Sequence, residues 1–356
     1  MAGGRTALSE ADMYYGGLRD KRFDAERANI VASLLCLRKG LRAQVPDKQP
    51  GGMLLATWNI REFGGTKYGG RTEEALYCIA EIISRFDIVA VQEVRPDLRA
   101  LDRVMGLLGR DWDRIFTDVS YAKSGNQERL AFVWDRNKVR FTGLAGELVL
   151  PETESKELAQ IARTPFICGF QVGWARFNLC TVHIYYGQSA PEDPRRVAEI
   201  AETGKLLSKK AKDYIKIDKE DRRTYSPENL VLLGDFNIFK KTDATFKALT
   251  ESGFVLPKAL MKDELSGSNV ARDKFYDQIA FYKEVRDIEN TGAGIFDFYE
   301  HAFRDEDKAR FAKSYKLADP SKFKDWRTYQ LSDHLVMWTE FSVDKTDDYL
   351  TQLAKL

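Results

Sequence analysis

The stretch Leu230-Val-Leu-Leu-Gly-Asp-Phe-Asn237 decides how the rest of the chain is read. Four aliphatic residues without a polar break describe a short strand covered on both faces, because a half-exposed strand would alternate. The run stops at Gly234 and delivers Asp235, and then Asn237, against an apolar core. An ionisable group in that position costs free energy unless it is paired or holds a cation. One such residue is commonly a turn former or cap, so the question is whether the pattern recurs.

It does recur. Asn59 ends the strand-like Thr57-Trp58-Asn59-Ile60, and Glu93 ends Val91-Gln92-Glu93-Val94. His183 sits in Thr181-Val182-His183-Ile184. Asp277 opens a strand in Tyr276-Asp277-Gln278-Ile279, and Asp333 and His334 open another in Ser332-Asp333-His334-Leu335. The chain has three histidines, and two of them, His183 and His334, lie in these motifs; His301 lies in a helix-like context and reads as structural or exposed. Carboxylates and a carboxamide are hard oxygen donors suited to Mg²⁺ or Ca²⁺, and there are too few His and Cys residues for a zinc site. Histidines beside carboxylates suit general acid and base work near neutral pH. Metal, base and acid together equip a site to hydrolyse a phosphate ester by in-line attack of water. No GxxxxGK[ST] loop and no serine nucleophile elbow is present.

Composition sets the outer limits. The 356 residues fit one large α/β or β-sandwich unit with an extension, or two modest domains. A mean hydropathy of −0.42, with apolar runs that are only strand-sized, argues against a membrane span. Fifty-five basic residues face 54 acidic ones, so an anionic substrate must be held by a local patch or a metal. The polar start Met1-Ala-Gly-Gly lacks the apolar core of a secretory signal, and Cys36, Cys78, Cys168 and Cys180 form no CxxC pair. A reduced, cytoplasmic protein is the expectation.

Along the chain, residues 1–50 read as a helical extension. Helical spacing over 24–43 brings Ile30, Val31, Leu34, Leu35, Leu37 and Leu41 into one stripe, to pack on the main body or on a partner. Residues 51–345 form the main domain and 346–356 a tail. Strands are expected at 53–58, 87–92, 130–134, 170–171, 175–177, 179–184, 230–234, 278–282 and 335–341. Helices are expected at 72–85, 98–108 and 194–213, and 216–229 reads as a charged connection. Many strands with interleaved helices suggest two sheets packed face to face and flanked by helices.

The ordered set Trp58-Asn59-Ile60, Gln92-Glu93-Val94, Gly234-Asp235-Phe236-Asn237 and Ser332-Asp333-His334 resembles the endonuclease/exonuclease/phosphatase superfamily. That superfamily includes deoxyribonuclease I, abasic-site endonucleases, sphingomyelinases and inositol polyphosphate 5-phosphatases. The resemblance spans roughly residues 53–343 and implies an α/β fold, a four-layer α/β sandwich. It is strongest toward the deoxyribonuclease I-like branch. Asn59-Ile-Arg61 and Glu93-Val-Arg95 match motifs whose arginines contact DNA there. Gln127-Glu128-Arg129 matches the segment whose glutamate orients the first histidine, and Tyr276-Asp277-Gln278 the motif whose aspartate orients the second. The chain departs at Asn126, where the branch carries a sugar-stacking aromatic, at Gln278, where it carries arginine, and in lacking its disulfide cysteines and signal peptide.

The resemblance therefore implies a metal-dependent phosphodiesterase, a DNA endonuclease leaving 5′-phosphate and 3′-hydroxyl ends. Glu93, with Asn59 and Asp333, would hold Mg²⁺ or Mn²⁺, with Ca²⁺ a further option. His334, held by Asp277, would act as base and His183, held by Glu128, as acid, with the two labels interchangeable. Asp235 and Asn237 would orient water and phosphate, and Arg61 and Arg95 would contact DNA or another nucleic acid. The rival readings are a same-fold phosphatase or phospholipase and a catalytically inactive binding module. Residues 1–50 could serve self-association or an inhibitor or partner protein.

Overall fold

The computed structural model describes residues 13–66, 69–120, 125–150, 160–220, 228–262, 264–283, 288–314 and 319–355. The polar start Met1-Ala-Gly-Gly lies outside them, as does part of the 216–229 segment. In chain order the elements begin with α1 (Arg27–Gln44), β1 (Gly52–Phe63), α2 (Glu73–Ser84), β2 (Ile88–Val94), α3 (Arg99–Leu108), β3 (Trp112–Phe116), β4 (Arg129–Asp135) and β5 (Val139–Glu147). They continue through β6 (Phe166–Val172), β7 (Ala175–His183), α4 (Pro194–Glu220), β8 (Glu228–Asp235), α5 (Ala244–Glu251), β9 (Phe254–Val255), β10 (Asp277–Tyr282) and β11 (Glu289–Phe296). The last are α6 (Lys308–Ser314), α7 (Phe323–Gln330), β12 (Val336–Ser342) and α8 (Thr346–Leu353).

The strands form two six-stranded mixed sheets, ordered β11-β12-β1-β2-β4-β3 and β5-β6-β7-β8-β10-β9. Side-chain alternation builds the layers. On β1, Met53 and Leu55 face the other sheet, while Leu54, Ala56 and Trp58 face a helical layer that includes α1, α2 and α3. On β8, Val231 and Leu233 face inward, while Leu230 and Leu232 meet Ile200 and Leu207 of α4 and Leu249 of α5. The result is the helix–sheet–sheet–helix sandwich expected from the sequence.

Strand direction then places the site. β1 runs parallel to β2, and β7 parallel to β8. β12, β4 and β10 are antiparallel to β1, β2 and β8 respectively. The starts of β4, β10 and β12 therefore share one edge of the sandwich with the ends of β1, β2, β7 and β8. The inward-facing positions change character toward that edge. Along β1 they run Met53, Leu55, Thr57, Asn59; along β7 Phe177, Leu179, Thr181, His183; along β8 Val231, Leu233, Asp235. Register aligns His183 with Asp235 and Asp235 with Asp277 in one row across three strands.

Several boundaries differ from the sequence reading. β1 extends to Phe63, and α4 runs as helix through Glu220, into the segment expected to be a connection. β3, β5 and β11 were not anticipated. β3, β5 and β11 are edge strands, and the last two read Val139-Arg-Phe-Thr-Gly-Leu-Ala-Gly-Glu147 and Glu289-Asn-Thr-Gly-Ala-Gly-Ile-Phe296, with glycines and open faces that erase the alternation. The stretch read as a tail contains α8. α1 buries Ile30, Leu34, Leu37 and Leu41, but Val31 and Leu35 are exposed, so the stripe is narrower than read. Its buried face joins the core shared with α2, and Arg38 ion-pairs with Glu81 of α2 at 2.7 Å. His301 follows a 3₁₀ turn and stacks on Phe296, with Gln44 of α1 at 3.2 Å. The four cysteines are free, and Cys78, Cys168 and Cys180 are buried.

Candidate active site

At the polar end of the inter-sheet core, Asp235 is the hub. Its Oδ2 accepts from Asn59 Nδ2 at 3.0 Å and lies 3.4 Å from His183 Nε2 and 3.7 Å from His334 Nε2. Each histidine is held from its other nitrogen by a buried carboxylate. His334 Nδ1 hydrogen-bonds Asp277 Oδ2 at 2.8 Å, and His183 Nδ1 lies 2.9 Å from Glu128 Oε2. Asp277 is fully buried and Glu128 is 2% exposed, so turning either ring would take a partner from a buried carboxylate.

Backbone geometry fixes these positions. Gly234 has φ +137°, and a Cβ there would fall 2.1 Å from the Val182 carbonyl oxygen on β7. Glycine alone lets β8 approach β7 closely enough to set Asp235 beside His183. Asp235 Oδ1 accepts from the backbone N–H of Asn237, whose amide donates to the Ile184 carbonyl, both at 2.8 Å. Trp58 Nε1 donates to the His334 carbonyl at 2.9 Å, and Ser332 Oγ donates to the Asn59 carbonyl at 2.5 Å. Beneath the site Gln92 donates to Thr181 Oγ1 at 2.9 Å and Thr57 Oγ1 at 3.1 Å, so the core turns polar without unpaired amide donors on that residue.

Glu93 reaches the site through a break in alternation. Gln92 faces inward, so a regular strand would turn Glu93 away. Glu93 instead takes φ +61°, and the β2–β4 register shifts there. Its Oε1 accepts from Asn59 Nδ2 at 3.0 Å and its Oε2 from the Glu62 N–H at 2.8 Å. Burial raises the Glu93 carboxyl above the usual range, as do the neighbouring charges of Glu128 and Asp333, with His183 opposing. Burial also works against the charge of Glu128, yet His183 and Arg163 outweigh it and hold that carboxyl down at about 2. For His334, burial disfavours the imidazolium, but Asp277 and Asp235 prevail and raise it well above the ordinary histidine value.

The donor set fits a hard divalent cation. Asn59 Oδ1 is buried without a hydrogen-bond partner, beside a carboxylate whose charge burial and two acidic neighbours disfavour. Of the three expected ligands, Asn59 and Glu93 are in direct contact. Asp333 stands further out, 41% exposed and paired with Arg61 at 3.5 Å. Ligand atoms also converge within 4.8 Å in Glu93–Glu128–His183 and in Asp235–Asp277–His334.

Arg61 and Arg95 flank the site but are engaged by protein. Arg61 donates to Thr328 Oγ1 and to Tyr329 OH, over whose ring it lies. Arg95 donates to the Asn126 carbonyl and lies 3.4 Å from Glu62 Oε2. Asn126, where an aromatic was missed, donates to Glu128 Oε1 at 2.6 Å. Gln278 donates to the Phe275 carbonyl at 2.8 Å. Sequence reading overlooked Arg163, whose Nε lies 2.7 Å from Glu128 Oε2. It stands in the loop Ala162-Arg163-Thr164-Pro165, where no periodicity marks it.

No family model matches the chain, and no curated protein matches it. Solved structures do. The human Nocturnin catalytic domain with bound sulfate anion superposes with TM-score 0.53 at 18% identity, over 83% of this chain and 96% of that one. An endonuclease/exonuclease/phosphatase family protein from Bacteroides thetaiotaomicron gives 0.51 at 15% identity, over 82% and 95%. A functionally unknown conserved protein from Enterococcus faecalis V583 gives 0.50 at 15% identity, over 82% and 100%. Two six-stranded mixed sheets between helical layers, matched over more than four-fifths of the chain, give this protein the deoxyribonuclease I-like fold of the endonuclease/exonuclease/phosphatase superfamily.

Proposed function

We propose that the protein is a divalent-metal-dependent phosphoester hydrolase, a phosphodiesterase acting on nucleic acid as a DNA endonuclease. One observation carries this reading: two histidines, each backed by a buried carboxylate, converge on one oxygen of Asp235 beside Glu93. A purely structural histidine needs one partner; here both rings keep the second nitrogen turned to a shared point. Glu93 and Asn59, with Asp333, would hold Mg²⁺ or Mn²⁺. When bound, such a cation supplies Lewis acidity toward a phosphate oxygen. His334, oriented by Asp277, and His183, oriented by Glu128, are the proton-transfer pair, one taking a proton from the attacking water and the other giving one to the leaving oxygen; the raised proton affinity of His334 favours it as the donor. Asp235 accepts from the water between the rings, and Asn237 fixes Asp235 through its backbone N–H. Cleavage then leaves a 5′-phosphate and a 3′-hydroxyl.

Arg61 and Arg95 are the candidate contacts to flanking phosphates, each about a fifth exposed at 23% and 19%. Their protein partners favour a second reading, a phosphatase or phospholipase for a small phosphate ester that would not reach them. No helix among the described residues is long and apolar enough to cross a membrane. Purified protein with Mg²⁺ or Mn²⁺ would be assayed on supercoiled plasmid, single-stranded DNA, RNA, a phosphodiester dye and a phosphomonoester dye. Cleavage of nucleic acid supports the first reading; turnover of the phosphomonoester alone replaces it with the second.

A further inference from the structure

Beside His334 stands an aromatic wall that the hydrolytic chemistry does not use. The Tyr276 ring lies 5.4 Å from the His334 ring, and Tyr186 and Phe239 lie 6.3 and 5.7 Å from Tyr276. Phe239 is buried, but Tyr186 is 39% exposed, so the wall ends in an open ring next to the reacting centre. The loop carrying Tyr186 is held with unusual thoroughness. Arg196, fully buried, donates to the carbonyls of Tyr185, Tyr186, Gln188 and Ala190. Gly187 follows with φ +66°, where a Cβ would meet Asp193 Oδ2 at 2.5 Å. Lys274 Nζ sits over Phe239 at 4.9 Å, adding positive charge on the same side. Four carbonyls on one buried guanidinium hold the backbone at Tyr186 in one conformation, so its ring is preorganised.

We infer that Tyr186 is a stacking subsite for an unpaired nucleobase flanking the scissile phosphate, so that the substrate is a single strand or an unpaired segment. A base paired in a duplex keeps both faces covered by its neighbours and cannot present one to a protein ring. Stacking on a preorganised aromatic contributes about 1–3 kcal/mol per base and tolerates sequence. Asn126 reinforces the inference. Where an aromatic would address a sugar in the minor groove, this chain has a short amide already committed to Glu128. The inference rests on the nuclease reading and narrows it.

The test uses the full chain with Mn²⁺ and single-stranded thymidine hexamers, each lacking the base at one position, with the cleaved bond mapped by mass spectrometry. On the intact hexamer Tyr186→Ala should raise KM roughly 10-fold, the size of one lost stack. Tyr186→Trp, which keeps a ring, should restore it. At one position adjoining the cleaved bond, removing the base should cost wild type the same factor, and removing base and ring together should cost no more than either alone. If Tyr186→Ala acts by one common factor on intact and base-lacking hexamers alike, or Tyr186→Trp behaves like Tyr186→Ala, the subsite is wrong while the nuclease reading stands. If wild type cleaves no hexamer but nicks supercoiled plasmid, the subsite is wrong while the nuclease reading stands; if it cleaves neither, both fall.

Discussion

Replacing Glu128 with Gln removes a charge but hardly changes volume, and the structure sets what that should cost. Glu128 is buried between His183 at 2.9 Å and Arg163 at 2.7 Å, and its carboxyl is held at about 2 against an ordinary value of 4.5. A folded-state value below the unfolded one means the ionised carboxylate stabilises the fold. That contribution is fully present above the unfolded value and disappears as pH falls through the folded one. At neutral pH it amounts to about 3 kcal/mol, and near pH 3 to only about 1 kcal/mol. Glu128→Gln should therefore lose about 3 kcal/mol at pH 7 in urea denaturation, with the gap to wild type closing below pH 4.5. A variant within about 0.5 kcal/mol of wild type at pH 7, or a gap that widens on acidification, would refute the electrostatic account of this carboxylate.

Gly234→Ala should destabilise by more than about 3 kcal/mol, since a left-handed backbone strains alanine and the new methyl collides with the Val182 carbonyl; a denaturation midpoint equal to wild type would contradict the close β7–β8 approach. His183→Ala and His334→Ala should each lower kcat by about 100-fold or more, and the double variant should lose less than the product, because both groups serve one step. A single variant near wild-type rate removes that histidine from the mechanism. Cleavage of DNA should fall steeply between about 50 and 200 mM salt, because ionic contacts such as those assigned to Arg61 and Arg95 weaken through counterion release. Salt-insensitive cleavage, with Arg61→Ala and Arg95→Ala fully active, would move the assignment to a small phosphoester.

The strands that built the fold were legible because each is covered on both faces and reads as an apolar run, as in Leu230–Leu233. The edge strands β5 and β11 were not, since one uncovered side tolerates Gly143, Gly146, Gly292 and Gly294, nor was β3, whose five residues include the charged pair Asp113-Arg114. His183, His334, Asp277 and Asp235 could be read because polar residues at the ends of apolar strands stand out against their neighbours; Glu128, and the pairing of each histidine with its carboxylate, came from the family resemblance. The parity that unites Asn59, His183 and Asp235 on the inward face was present in the same runs. Glu93 breaks that parity, and only the +61° backbone angle shows how it turns back. Arg163 and the Tyr186 loop carry no periodic signal at all; their placement depends on contacts distant in sequence. Asp333 and the two arginines were marked by motif position, which specifies neighbourhood but not partners. In the folded chain Asp333 faces Arg61, and both guanidinium groups hold protein atoms.

The most direct measurement is a titration of Mn²⁺ into wild type and Glu93→Gln, following bound ion by electron paramagnetic resonance and hydrolysis of single-stranded DNA in the same samples. Glu93 contributes a carboxylate that contacts the same carboxamide as the unpartnered Asn59 Oδ1, so the variant should stay folded, bind the ion at least ten-fold more weakly, and lose most of its turnover. Wild type should fall silent in excess chelator. Ion binding unchanged in Glu93→Gln, or undiminished hydrolysis by wild type in chelator, would contradict the metal-dependent hydrolytic centre.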